Sequence, residues 1–161
     1  MNGVKGFTLV EVVVSMALVA TTAVGLAGLF VVSAKATRRA QVDTVALFAA
    51  ESKMAELRAS TWAYDLAEAG APVSSALLAV SPDAALTSSI DGYVDYVDGN
   101  GVIAGLGAQP SSVAVYLRRW SVRALPMDPA NSRVLQVVAA PVTAPESTAA
   151  HLVSILTRVA R

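Results

Sequence analysis

The sequence predicts an α+β protein: a long N-terminal α-helix, half transmembrane and half amphipathic, packed on a C-terminal antiparallel β-sheet head. Three observations predict it. Residues 7–34 are apolar apart from one ionisable group, Glu11. Residues 35–60 combine charges with apolar residues at helical spacing and contain neither Gly nor Pro. Residues 113–161 alternate apolar and polar positions between proline-bearing breaks, which is the period of strands with one wet face.

Composition sets the outer bounds. At 161 residues the chain fits one domain with a modest core. Apolar residues reach 55%, charged residues only 15%, and the mean hydropathy is +0.57, so part of the apolar surface must face lipid or another subunit. The formal charge is zero, which removes any global field that would draw nucleic acid or an anionic surface. With no cysteine, disulfides and thiolate metal sites are excluded. One histidine, no Gly-x-Ser-x-Gly and no phosphate loop leave no frame for an enzyme, so no catalytic residue, cofactor or metal site is expected. His151 reads as a surface or satisfied core histidine.

Residues 1–6 read as a leader and residues 7–34 as a transmembrane helix. The uncharged run Val12–Ala34 has 23 residues. As a helix it is about 34 Å long, enough to cross a hydrocarbon core of about 30 Å. Gly25 and Gly28 suit a membrane helix, where small residues let a second helix approach closely. Glu11 is the exception, because an unpaired carboxylate in hydrocarbon costs several kcal/mol. The next cations toward the C-terminus, Lys35, Arg38 and Arg39, lie more than about six helical turns away. A cut between Gly6 and Phe7 would create a closer one, since an α-amino group with a pKa of about 7.7 would then stand about one turn from Glu11.

The run Lys5-Gly6-Phe7-Thr8-Leu9-Val10-Glu11-Val12 resembles the prepilin peptidase site of type IV pilins, type II secretion pseudopilins and competence pseudopilins. The resemblance implies removal of the leader after Gly6, N-methylation of Phe7, and pairing of Glu11 with an N-terminal amine during subunit assembly. It implies prepilin peptidase, the membrane and other pilin or pseudopilin subunits as partners. It also implies a bacterial inner-membrane location with the head outside the cytoplasm, then a place in a pilus or pseudopilus. Charge alone favours the opposite orientation, because Lys35, Arg38 and Arg39 outnumber Lys5. Two other readings compete: a secretory signal cut at Ala34-Lys35-Ala36, and a plain single-pass anchor.

Residues 35–60 read as an amphipathic continuation of the helix. Leu47, Ala50, Met54 and Leu57 form the expected packing stripe, with Arg38, Arg39, Asp43, Glu51, Lys53, Glu56 and Arg58 expected in water. Residues 61–161 read as a globular head. Within it, residues 61–112 hold three prolines and six glycines and read as a variable connection. Ser81-Pro82-Asp83 fits a helix N-cap with Pro at the first helical position, opening a short turn to about Leu86. Asp91–Ile103 alternates and turns on Asp98-Gly99-Asn100-Gly101, a hairpin signal. Asp98 and Asn100 lack the rest of a calcium loop, so their expected role is turn chemistry.

Residues 113–161 read as an antiparallel sheet, with strands over Val113–Leu125, Arg133–Ala140 and His151–Val159. Along the first, Tyr116, Trp120 and Val122 share one face while Arg119, Ser121 and Arg123 share the other. The arrangement of Tyr116–Arg123, then Arg133–Val138, then Leu156-Thr157-Arg158 is similar to PilV-type minor pilins and minor pseudopilins. Charge is segregated: residues 59–117 carry six acids and no Lys or Arg, and residues 118–161 carry six Arg against Asp128 and Glu146. Pairing across strands, or between neighbouring subunits, is expected. The functional reading is a minor pilin or pseudopilin, a structural subunit. The alternative is a DNA-binding minor pilin of an uptake machine, using Arg118, Arg119, Trp120 and Arg123.

Overall fold

A computed structural model describes residues 6, 8–65, 71–147 and 149–160. One helix, α1, spans Leu9–Ala59, and the chain divides into two compact units, Met1–Gln41 and Val42–Arg161.

In the first unit α1 is exposed all round and supplies the one helix long and apolar enough to cross a membrane among the described residues, at a mean hydropathy of 2.1 in its best window. Three of its hydroxyls, those of Ser15, Thr21 and Thr22, are satisfied within the helix. Ser15 donates to the Glu11 carbonyl at 2.7 Å, and Thr21 and Thr22 donate to the carbonyls of Ala17, Leu18 and Val19. Hydrocarbon demands this, because it offers no water to unpaired polar groups. The helix continues through Gly25 and Gly28, each with open space around the position a Cβ would take.

The second unit opens with the rest of α1 and continues with β1 Trp62–Asp65, β2 Ala71–Ser74, 3₁₀ turns at Ala76–Leu78 and Asp83–Leu86, β3 Val94–Val97 and β4 Ile103–Leu106. Then follow β5 Tyr116–Leu125, β6 Asp128–Pro141, β7 Ala150–Thr157 and β8 Val159–Ala160. Five strands form one antiparallel sheet in the order β4-β3-β5-β6-β7. The helix followed by this sheet is the α+β arrangement that the sequence predicts.

Alternation along β5 divides the sheet's faces as expected. Tyr116, Trp120 and Val122 join Leu135, Val137 and Ala139 of β6 in the core under α1, while Leu117 packs on the opposite face with Val94, Tyr96 and Ala140. The helix stripe differs from expectation. Its buried residues are Ala46, Ala49, Ala50, Lys53, Met54 and Leu57, while Leu47 is 40% exposed. Three alanines let the sheet approach the helix closely, and the stripe they define carries Lys53 inward with them.

Other boundaries are corrected too. The sheet begins at Val94 rather than at residue 113, because the Asp91–Ile103 hairpin, present as β3 and β4, pairs through β3 with β5. The segment 61–112 therefore contributes four strands and is more than a connection. The Ser81 hydroxyl does not cap the turn that follows. It is buried, accepts from Val122 N at 3.1 Å and lies 3.3 Å from the Val122 carbonyl, tying the segment to β5.

The last expected strand, His151–Val159, breaks at Arg158, and β8 leaves for a second sheet of order β2-β1-β8 where it runs parallel to β1. Arg158 explains the departure. Its Nη1 donates to the carbonyls of Ala63 and Val73 at 2.8 and 3.0 Å, and its guanidinium lies 3.7 Å from the Trp62 ring centre. Arg133 stacks 4.3 Å from the same ring, whose Nε1 donates to the Asn131 carbonyl. Tyr64 hydrogen-bonds to the Asn131 side chain. Cation–π contact of this kind fixes the small sheet against β6.

Candidate functional site

The start of α1 is organised around Thr8 and Glu11. A helix leaves its first backbone N–H groups without intrahelical partners. Here the Glu11 N–H donates to Thr8 Oγ1 at 3.3 Å, and the Thr8 N–H donates to Glu11 Oε2 at 3.5 Å. This reciprocal arrangement is a capping box. Glu11 is exposed and occupies the third helical position, where the helix dipole favours a negative charge. Its carboxylate therefore sits at the end of the apolar run with its only hydrogen-bond partner, among the described residues, a local backbone N–H. Gly6 is exposed. Phe7 and the leader residues before Gly6 lie outside the described residues.

Thr8 is the residue that sequence reasoning missed. The signal was present, since Thr8-Leu9-Val10-Glu11 is the S/T-x-x-E pattern directly before an apolar run.

The residues considered for nucleic-acid contact go elsewhere. Arg118 and Trp120 face the helix, 2% and 4% exposed. Arg118 donates from Nε and Nη2 to both oxygens of Asp95, at 2.7 and 2.9 Å, and from Nη1 to the Ala49 carbonyl of α1. Lys53 Nζ comes within 3.3 Å of Asp95 Oδ2, bonds to Glu56 at 3.1 Å and lies 3.8 Å from the Trp120 ring centre. Asp95 and Arg118 are direct cross-strand partners in the β3–β5 register.

One buried carboxylate thus holds two buried cations, joining helix and sheet through one ionic cluster. Arg119 faces the other side, largely buried, and donates to Ser89. Arg123 is exposed and pairs with Asp83 at 3.2 Å. No single basic patch forms from these arginines. The two ion pairs, Asp95–Arg118 and Asp83–Arg123, join the acidic segment to the basic one within one chain, the first form of the expected pairing.

Asp98 makes the β3–β4 turn. Its Oδ1 accepts from Val102 N at 2.9 Å and Asn100 N at 2.8 Å, and these backbone donors hold its carboxyl below the ordinary value of 3.8. Gly101 follows at φ +81°, a conformation glycine adopts without strain. Tyr116 shifts the other way, its phenol raised above 10.0 by burial and then by the charge of Asp43.

Residues 1–27 match the prokaryotic N-terminal methylation motif. The match covers the leader, the Gly6–Phe7 junction, Glu11 and the first part of the apolar helix. Together with the membrane-length helix it supports a type IV pilin-like, membrane-associated protein that is processed by prepilin peptidase and assembles with pilin subunits in general. The motif and fold together point to a structural protein rather than an enzyme. Comparison with curated proteins and with solved structures returns no match.

Proposed function

We propose that this chain is a minor pilin or minor pseudopilin, a structural subunit that waits in the bacterial inner membrane with its head outside the cytoplasm and then primes or enters a filament. The methylation motif at residues 1–27 carries the reading, because it falls on an apolar run, residues 7–34, whose only ionisable group is Glu11.

Chemistry links processing to assembly. Hydrolysis of the Gly6–Phe7 amide converts a neutral peptide group into an α-amine, cationic near neutral pH. Methylation at Phe7 leaves that nitrogen basic. The amine stands about one helical turn from Glu11 of its own chain and can meet Glu11 of an adjacent subunit in a stack of helices. In a medium of low dielectric, bringing the two charges together offsets the several kcal/mol that either costs alone. The Thr8 capping bond gives Glu11 a local partner meanwhile.

Mass spectrometry of the mature N-terminus tests the reading. A methylated Phe7 is expected, and a terminus at Thr37 or an uncut Met1 would sink it. Separately, Glu11→Ala should be cleaved and inserted normally but assemble poorly. Normal filament incorporation of that variant would leave the anchor and remove the pairing mechanism.

A further inference from the structure

Two guanidiniums share one indole in the second unit. Arg158 and Arg133 lie 3.7 and 4.3 Å from the Trp62 ring centre, and neither has an acid within ion-pair distance among the described residues. Elsewhere in the head Arg118 holds Asp95 and Arg123 holds Asp83. Asp128, on β6 with Arg133, is engaged by the Asn131 amide and the Ser132 hydroxyl instead. Carbonyls of Pro129 and Ser132 accept from Arg133 Nη1, and those of Ala63 and Val73 from Arg158 Nη1. These bonds satisfy donors but neutralise no charge. Burial, and then the charge of Arg158, lowers the Arg133 guanidinium below its ordinary value.

Trp62 is also one wall of a cavity of about 400 Å³ formed where the end of α1 meets the end of β7, and Arg58, Thr61 and Thr157 line the same cavity. Arg58 is exposed and has no acid partner among the described residues. The hydroxyls of Thr61 and Thr157 have no hydrogen-bond partner among them either. Three positive charges thus stand at or directly behind the cavity wall. The C-terminus of α1 opposes them with about half a negative charge, which leaves the cavity positive. The unit around it is acidic, with eleven Asp and Glu against eight Lys and Arg over residues 42–161. That surplus repels a long polyanion such as nucleic acid, whereas a compact anion meets only the local field.

We propose that this cavity binds a compact oxyanion, a single carboxylate or phosphoryl group. Arg58 pairs with it directly, the Thr61 and Thr157 hydroxyls donate to its remaining oxygens, and Arg133 and Arg158 keep the field positive from their places on the indole. The inference does not rest on the pilin reading.

The test uses the full chain, ¹⁵N-labelled in micelles of an uncharged detergent, at neutral pH and constant ionic strength in sodium chloride. The Arg58 Nε–H signal is assigned with Arg58→Gln and the two indole signals with Trp120→Phe. Inorganic phosphate, the acetylated and amidated peptide Gly-Glu-Gly, and a short oligothymidylate are titrated in separately. Saturable movement of the Arg58 and Trp62 signals is expected with phosphate or with the peptide, while the Trp120 indole stays in place. The tighter of the two names the source, a free phosphoryl group or a carboxylate carried by another polypeptide. Arg58→Gln should keep both indole signals, which shows that it folds, and bind about tenfold more weakly, the loss of one charge-assisted bond. Thr157→Val should bind several-fold more weakly. Failure of both phosphate and the peptide to saturate, equally tight binding of the oligothymidylate, or unchanged binding by Arg58→Gln would each overturn the proposal.

Discussion

Removing the carboxylate of Asp95 should damage the head far more than removing any surface charge. The Asp95 side chain is 1% exposed, and those of Arg118 and Lys53 are 3% and 5% exposed. Asp95→Ala leaves two cations inside the core with only Glu56, a backbone carbonyl and the Trp120 ring to receive them. Breaking a buried ion pair from one side costs about 3–5 kcal/mol, out of a total domain stability of about 5–15 kcal/mol. With a urea slope of about 1.5 kcal/mol/M for a head of this size, the unfolding midpoint should fall by about 2–3 M. The assay is urea unfolding of the full chain in micelles, followed by the fluorescence of Trp120 beside Lys53. Asp83→Ala, which removes the exposed partner of Arg123, is the control and should leave the midpoint in place. A combined Lys53→Met, Asp95→Leu, Arg118→Met chain should recover most of the loss, since apolar residues of similar volume replace a buried ionic cluster at little cost. If Asp95→Ala moves the midpoint by less than about 0.5 M, the cluster is not the joint between helix and sheet.

Thr8→Val removes the acceptor for the Glu11 N–H and should speed amide exchange at the start of α1 by about fivefold, the loss of about 1 kcal/mol of capping, whereas Thr8→Ser should not. Asp98 has its folded value depressed, so its contribution is complete above the ordinary 3.8 and is lost as the pH falls through the lower folded value. The acid limb of a pH–stability curve below about 4 should therefore flatten in Asp98→Ala. Tyr116 has its folded value raised, so stability is complete below 10.0 and declines as the unfolded chain ionises above it; Tyr116→Phe should remove that part of the alkaline limb. Arg158→Gln should free the small sheet, and exchange protection at Ala63 and Tyr64 should fall while protection across β5 and β6 is unchanged.

What was legible in the sequence follows the strength of local periodicity. The apolar run is a continuous signal, so the helix could be read directly from it, and the stretch holding Gly6, Phe7 and Glu11 falls inside the matched methylation motif. The β5 alternation placed Tyr116, Trp120 and Val122 on one face for the same reason, and Asp98-Gly99-Asn100-Gly101 marked its hairpin. Lys53 was expected in water because charge was weighed above position. Its buried partner is Asp95, 42 residues downstream, and no local pattern carries that pairing. The β1–β8 pairing escaped likewise, because a two-residue strand has no period to detect. Leu47 failed as a core residue because three small alanines set the contact line one step around the helix. Thr8 is readable from the spacing Thr8-Leu9-Val10-Glu11, in which the carboxylate serves the helix cap.

The parallel pairing of β1 with β8 bears on the order in which this protein can be made. Ala63 meets Val159 and Tyr64 meets Ala160, partners separated by 96 residues of chain. The β5–β6 and β6–β7 hairpins join near neighbours and can form as soon as their own residues emerge. The third strand of the small sheet cannot be added until residue 160 is outside whatever channel delivers the chain. Until then β1 lacks its β8 partner and Trp62 lacks the guanidinium of Arg158. Any helper that shields a half-delivered head should therefore be needed at β1, and should be displaced when β8 arrives.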